Sequence, residues 1–224
     1  MFYRLVGKLP YGIIFVKVIF TPGGFLTNRG RPRCFDPEEA LDAAMAVFWS
    51  HGFEAASMAE LSAATGLNKP SLYAAFGDKA QLFRQALERY AKTQAEPHLR
   101  ALERESDVRL AIAGFLASMA DVLADPAKPG GCFIVNASAA CGTGDLPHSV
   151  ETAVHQAHSL TSDAIRRRLA RAERLGQFPA GTPLDALADF LLTVVAGMAV
   201  RAKAGTPRSA LDPVIAMALG AIPR

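Results

Sequence analysis

The stretch SMAELSAATGLNKPSLYAAFGDK, residues 57–79, contains two short helix patterns separated by a tight turn. Ser57 with Glu60 three residues later is a capping box, which predicts a first helix over residues 58–65. Gly66 ends that helix, and Asn68 is an N-cap residue for a second helix. Leu72, Tyr73 and Phe76 are expected on the inner face of the second helix. This spacing predicts a helix–turn–helix.

A helix–turn–helix places the N-terminal residues of its second helix in the major groove of DNA, while the first helix crosses the backbone. Side chains in that first turn can reach base edges or phosphates, and a following helix N-terminus can bind a phosphate. A basic arm, residues 29–33, precedes the motif and could follow the phosphates or enter a minor groove. The expected DNA-binding residues are Arg31, Arg33, Ser57, Asn68, Lys69, Pro70, Ser71, Tyr73 and Lys79.

The remaining sequence from residue 36 onward has helical periodicity and requires no strand, so the predicted fold class is all-α. Asp36 followed by Pro37 and two acids begins a helix that Gly52 ends. A helix from residue 78 is expected to end near Glu96, because Pro97 follows. Further helices are expected over 106–125, 148–175, 184–203 and 209–222, and residues 132–141 form a short apolar stretch between two breaks.

Composition excludes several classes of protein. The chain has 224 residues, 50% of them hydrophobic, which is enough for a core and argues against wholesale disorder. Its net charge of +3 says little about nucleic acid, so the local arrangement of basic residues carries that prediction. Three cysteines without a CxxC spacing disfavour a disulfide framework and a structural zinc site. Reduced cysteines fit a cytoplasmic protein without membrane attachment.

Neither an enzyme nor a metal protein is indicated. The sequence contains no GxSxG, P-loop, GxGxxG or HExxH pattern, so no catalytic residues and no cofactor are expected. His148, His155 and His158 lie close in sequence, but no carboxylate or cysteine completes a ligand set at matching spacing. Cys132 has no adjacent cation to lower its pKa, so a buried structural thiol is favoured over a redox switch.

Residues 1–28 differ from the rest of the chain. The apolar run from Tyr11 to Phe20 is interrupted by Lys17 and is too short to span a bilayer. No small-residue cleavage site follows, which disfavours a signal peptide. Two interpretations remain open: a disordered N-terminal extension, or a mis-assigned start of translation.

Taken together, residues 30–90 resemble the TetR/AcrR family of bacterial repressors. The resemblance rests on GRPR at 30–33, on the helix over 40–52, on 57–61, on the run 66–79, and on Leu82-Phe83. Ala75 stands where many members have His, and Pro70 is a variant position in the recognition helix. The resemblance implies an extension over 1–28, a DNA-binding domain over 29–95, and an effector-binding and dimerisation domain over 96–224.

The same resemblance implies a homodimer that binds a near-palindromic double-stranded DNA operator and is released by a small-molecule effector. The alternative is an all-helical interaction module that has lost specific DNA binding. The expected effector pocket is lined by Phe115, Met119, Phe133, Asn136, His155 and Phe190. The expected dimer interface uses the apolar stripe Leu184, Leu187, Leu191, Val194, Val195 and Met198 of the late helices.

Overall fold

The computed structural model describes residues 35–223, which form α-helices without any strand. The predictions for residues 1–28, for Arg31 and for Arg33 concern positions outside the described residues. The helices are α1 Pro37–Ala55, α2 Met58–Thr65, α3 Lys69–Phe76, α4 Lys79–Tyr90, α5 Glu96–Arg104, α6 Val108–Leu123, α7 Phe133–Ser138, α8 His148–Arg174, α9 Leu184–Lys203 and α10 Asp212–Gly220.

Local capping explains where the first four helices begin. The side chains of Asp36, Ser57, Asn68 and Asp78 each accept a hydrogen bond from a backbone N–H in the first turn of α1, α2, α3 and α4 respectively. These bonds satisfy donors that have no partner within a helix. Gly52 interrupts α1 with a φ of 80°, a conformation that favours glycine. At the predicted end of the helix, Gly52 breaks the regular geometry, and α1 continues beyond it to Ala55.

The helical segment that follows the helix–turn–helix is longer than predicted. After α4, a π-helical turn over Ala91–Ala95 leads directly into α5, and Pro97 lies in the first turn of α5. The predicted end at Pro97 is wrong, because proline is tolerated in a first turn, where its missing N–H costs nothing. The expected domain boundary at 95/96 consequently falls within one continuous helical segment.

An aromatic cluster connects the first four helices to the rest of the molecule. The Phe83 ring of α4 meets Phe48 of α1 and Phe133 of α7 edge-on, with centroids 5.0 and 5.3 Å apart. The Phe133 ring in turn meets the Tyr90 ring at 5.7 Å, and Tyr90 meets Trp49 at 5.0 Å. All five side chains are buried. Offset and edge-on aromatic pairs add to the stabilisation by buried area, so this cluster is a shared core.

Polar contacts reinforce the same junction. The Trp49 indole N–H donates to the Gly130 carbonyl oxygen at 3.1 Å, across the loop between α6 and α7. Lys203 at the end of α9 donates to the carbonyl oxygens of Ser50 and Pro129, each at 3.3 Å. The end of α1 is thus bound both to this loop and to the last turn of α9.

The apolar stripe of α9 chosen from the sequence packs inside the protomer. Leu187, Leu191, Val195 and Met198 are buried, while Leu184 and Val194 are half-buried. Four of the six predicted interface residues therefore pack within the protomer and offer little surface to a second copy, and the predicted interface stays a prediction. The physical reason is that the most apolar stripe of an amphipathic helix covers the protomer's own core. The outward stripe of α9 consists of Ala186, Phe190, Thr193, Gly197 and Val200.

Candidate nucleic-acid interface and effector cavity

The turn between α2 and α3 brings the predicted DNA-binding residues together at one surface. Ser57 and Glu60 form the capping box, with Glu60 N–H donating to Ser57 Oγ at 3.1 Å and Ser57 N–H donating to Glu60 Oε2 at 2.8 Å. These hydrogen bonds to Ser57 lower the pKa of the Glu60 carboxyl. Gly66 ends α2 in the left-handed conformation. The sequence therefore fixes the direction in which α3 leaves the turn.

At the start of α3, capping and exposure separate the roles of neighbouring residues. Asn68 Oδ1 accepts from the Ser71 N–H at 2.9 Å, so the Asn68 side chain is committed to the cap. Lys69 and Pro70 are exposed, and Ser71 is half-buried. No acidic residue lies within α3. The first turn of α3 therefore presents the ammonium group of Lys69, next to the positive end of the helix dipole, to an incoming anion.

Tyr73 and Lys79 flank this turn. Tyr73 is 49% exposed, which corrects its expected place on the inner face of α3. One helical turn separates it from both Lys69 and Phe76, so it lies at the boundary of the buried stripe. Lys79 donates to the Glu54 carbonyl oxygen at 3.2 Å and lies over the Phe53 ring, 4.6 Å from its centroid. These contacts orient the ammonium group while leaving two of its three N–H donors available.

Two acids of the first helix are neutralised within the fold. Arg89 of α4 forms a bidentate pair with Asp42, both distances being 2.8 Å, and reaches Glu38 at 2.9 Å. The hydrogen bonds to Asp42 and Glu38 raise the pKa of the Arg89 guanidinium. Glu38 and Asp42 therefore have a counter-charge within the fold, which lessens their repulsion of DNA.

A mainly apolar cavity lies farther from α3, between α4, the π-helical turn, α5, α6, α7, α8 and α9. Its volume is about 40 Å³. Tyr90 and Cys132 form part of its wall, and the Tyr90 hydroxyl bonds the Cys132 sulfur at 3.4 Å. Burial raises the pKa of both the Tyr90 phenol and the Cys132 thiol. The apolar lining residues are Ala95, Leu99, Met119, Val122, Ile134, Val135, Leu192, Val195 and Ala196.

Of the six predicted effector residues, Met119 lines this cavity. Phe115 and Phe133 are core residues outside its lining, His155 is exposed on α8, and Phe190 lies on the outward stripe of α9. Asn136 also lies outside the lining, and its Nδ2 is buried without a hydrogen-bond partner among the described residues. Five of the six predicted effector residues therefore lie outside the lining of this cavity, and the predicted effector pocket stays a prediction.

The cavity residues that sequence reasoning missed come from the π-helical turn and one face of α8. Gln94, His158 and Thr161 supply the polar part of the lining. In the sequence, His158 is considered only as a possible metal ligand. Within residues 35–223, no group of three histidines, cysteines or acids is placed to hold a metal ion. No helix in that range is long and apolar enough to cross a membrane.

Comparison with known proteins identifies the two parts of the chain. Residues 40–86 match the model of the tetR family of bacterial regulatory proteins, and residues 109–218 match a tetracyclin repressor-like C-terminal domain. The HTH-type transcriptional repressor ComR of Escherichia coli K12 is 35% identical over 181 residues, which cover 80% of this chain and 84% of ComR. BdcR, another repressor of that organism, is 33% identical over 196 residues, covering 86% and 92%.

A solved structure extends the similarity to the whole fold. The TetR family transcriptional regulator CifR, as a cysteine mutant complexed with 26-bp double-strand operator DNA, is 36% identical. It superposes with a TM-score of 0.80 over 86% of this chain and all of that chain. The match covers both the helix–turn–helix and the helices around the cavity. This chain therefore belongs to the TetR family of bacterial regulatory proteins.

Proposed function

We propose that this protein represses transcription by placing α3 of each of two protomers in successive major grooves of an operator. The observation that carries the proposal is the exposed first turn of α3, with Lys69 and Tyr73 at the surface and Lys79 oriented beside it. Lys69 and Ser71 would contact base edges or phosphate, and Tyr73 and Lys79 would contact phosphates. The named repressors ComR and BdcR support repression rather than activation.

The outward faces of α9 and α10 support a homodimer. Val200 is 60% exposed and Met217 is 77% exposed, although both are apolar. Alternating small residues along the outward stripe of α9 would let a second copy approach closely. A two-fold axis through this face would repeat α3 about one DNA turn away, ~34 Å, and would favour a near-palindromic operator.

The cavity supports control by a small molecule. It adjoins Tyr90 and the π-helical turn, and α4 connects both directly to the helix–turn–helix. A ligand that fits one arrangement of these elements better than another would change the fraction of protein able to bind DNA. Binding to chromosomal DNA would place the protein in the cytoplasm, as expected from its cysteines.

The direct test is nuclease footprinting on the DNA upstream of the protein's own gene and on fragments selected from the genome. The expected result is a protected near-palindrome with half-sites about one turn apart, and an affinity that falls steeply as salt rises. Protection of no specific sequence in either DNA pool would contradict the proposal. That outcome would favour the alternative of an interaction module that has lost specific DNA binding.

A further inference from the structure

The cavity lining contains no charged side chain. None of the fourteen lining residues is an aspartate, glutamate, lysine or arginine. A charged ligand would lose its hydration on entry and would find no counter-charge to replace it. By contrast, a cleft between α5 and α8 is lined by Arg167, Arg171 and Arg174, so the molecule concentrates its cations elsewhere. The cavity therefore discriminates against ions of either sign.

The polar groups of the lining lie on the π-helical turn and on one face of α8. His158, which is exposed at the mouth of the cavity, and the half-buried Thr161 are one helical turn apart, and neither side chain forms a hydrogen bond with any described residue. The Gln94 amide N–H reaches only the adjacent Thr93 hydroxyl, at 3.4 Å. Tyr90 and Cys132 bond each other instead. The wall thus offers free donors and acceptors in one region and hydrocarbon elsewhere.

The volume limits the ligand to a compact molecule. About 10–15 Å³ of such space is needed for one water, so 40 Å³ holds about three non-hydrogen atoms without rearrangement. Larger ligands require wall movement. Met119, an unbranched and adaptable side chain, is the lining residue best able to move.

We propose that the effector of this regulator is a compact, uncharged molecule with an apolar body and one oxygen function, such as a short-chain ketone or alcohol. Its oxygen would accept a hydrogen bond from Thr161 beside His158 and Gln94, and its hydrocarbon part would pack against Met119 and Val195. Burial raises the pKa of the Cys132 thiol and so disfavours the nucleophilic thiolate, and the proposed binding involves no covalent bond. This inference rests on the proposed function, since it names the ligand class of the regulatory cavity.

The chain contains its own reporter for this cavity. Trp49 is its single tryptophan, and the indole meets the ring of the cavity residue Tyr90 at 5.0 Å. A ligand that displaces Tyr90 would change the surroundings of Trp49. Intrinsic fluorescence of the full-length protein therefore measures occupancy without a label.

The experiment titrates the protein at pH 7 with three probes of equal chain length: 2-pentanone, pentanoate and pentylammonium. We expect saturable quenching or enhancement by 2-pentanone, with an apparent affinity at least tenfold above that of either ion, because only the ions lose hydration without compensation. Equal or tighter binding of either ion would overturn the proposal. Absence of a saturable response to 2-pentanone would also overturn it.

Two variants locate the site and a third is the matched control. Thr161→Val keeps the side-chain shape and removes the hydroxyl, so it should weaken 2-pentanone binding about threefold to tenfold. Ala196→Leu should abolish binding by filling the cavity. Thr152→Val, on the exposed side of the same helix and away from the cavity, should leave the affinity unchanged. Equal effects of Thr161→Val and Thr152→Val would contradict the assigned hydrogen bond.

Operator binding without any probe is measured on the same preparations. Loss of specific DNA binding in the unmodified protein would contradict the proposed function. Intact DNA binding combined with ion-tolerant or absent ketone binding would contradict only the ligand class. The two failures are therefore distinguishable.

Discussion

The helix–turn–helix and the cavity differ in how the chain builds them. The proposed DNA-binding surface comes from 23 consecutive residues, 57–79, whose caps and turn are visible in the local sequence. The cavity collects side chains from seven helical elements between Tyr90 and Ala196. The local sequence therefore determines the helix–turn–helix surface through its caps and turn. The shape of the cavity depends instead on how distant helices pack against one another.

The aromatic cluster is the physical link between these two regions. Phe53 contacts Lys79 on one side and the Phe83 ring at 5.3 Å on the other. Phe83 contacts Phe133, and Phe133 contacts Tyr90 at the cavity wall. Because packed aromatic side chains resist independent displacement, we expect movement of Tyr90 to affect the position of α4.

The largest effect should come from removing the centre of that cluster. Phe83→Ala deletes a fully buried ring that contacts three others, and should lower the free energy of unfolding by about 3–5 kcal/mol. Urea unfolding at fixed protein concentration measures the change. Leu175→Ala, at an exposed position, is the control and should stay within about 0.5 kcal/mol. A loss under about 1 kcal/mol for Phe83→Ala would show that the two regions do not share a core.

The second-largest effect should come from placing charges on the outward faces of α9 and α10. Val200→Asp combined with Met217→Asp should convert dimer to monomer at micromolar concentration, because buried unpaired carboxylates are costly. Sedimentation equilibrium measures the assembly state. Leu110→Asp, 63% exposed on α6, is the matched control and should leave the dimer intact. An unchanged dimer in the double variant would place the interface elsewhere.

The smallest effect concerns pH and the cavity wall. Burial raises the pKa of Cys132, so the folded state holds that proton more tightly than the unfolded chain, whose thiol pKa is about 8.5. The resulting stabilisation is complete below about pH 8.5 and is lost as pH rises toward the folded pKa, by at most about 1.4 kcal/mol per pH unit. Urea midpoints at pH 7.5 and 9.5 should show this decline.

Cys132→Ala is the variant for the pH experiment. It removes the thiol and should make the decline between pH 7.5 and 9.5 shallower than in the unmodified protein. The half-buried Cys141 provides the matched substitution, Cys141→Ala, and should alter the slope less. Identical slopes for all three proteins would mean that the buried thiol does not govern stability in this range.

The same contrast between local capping and long-range packing determines which features the sequence predicts. Helix starts at Asp36, Ser57, Asn68 and Asp78 were predictable because each cap bonds within three residues. Pro97 was misread because a proline that ends one helix and a proline in a first turn look alike locally.

The late helices and the cavity required tertiary structure. The stripe of α9 with Leu187 and Leu191 is more apolar than the outward stripe with Thr193 and Gly197, and it packs inside the protomer. The apolar pattern alone therefore does not indicate which face is left for a second copy. Gln94 became a lining residue through the π-helical turn, which changes the helical register and leaves no simple mark in the sequence.

The central claim is that cations at the start of α3 and α4 bind the operator. The most direct measurement compares operator affinity, over a range of salt, for Lys69→Gln with Lys79→Gln against the charge-matched Arg104→Gln with Arg174→Gln on the exposed body. We predict about a tenfold or greater loss for the lysine pair, and a salt slope shallower by about 2. The arginine pair should stay near the unmodified protein. Equal affinities and slopes for the two pairs would contradict the account.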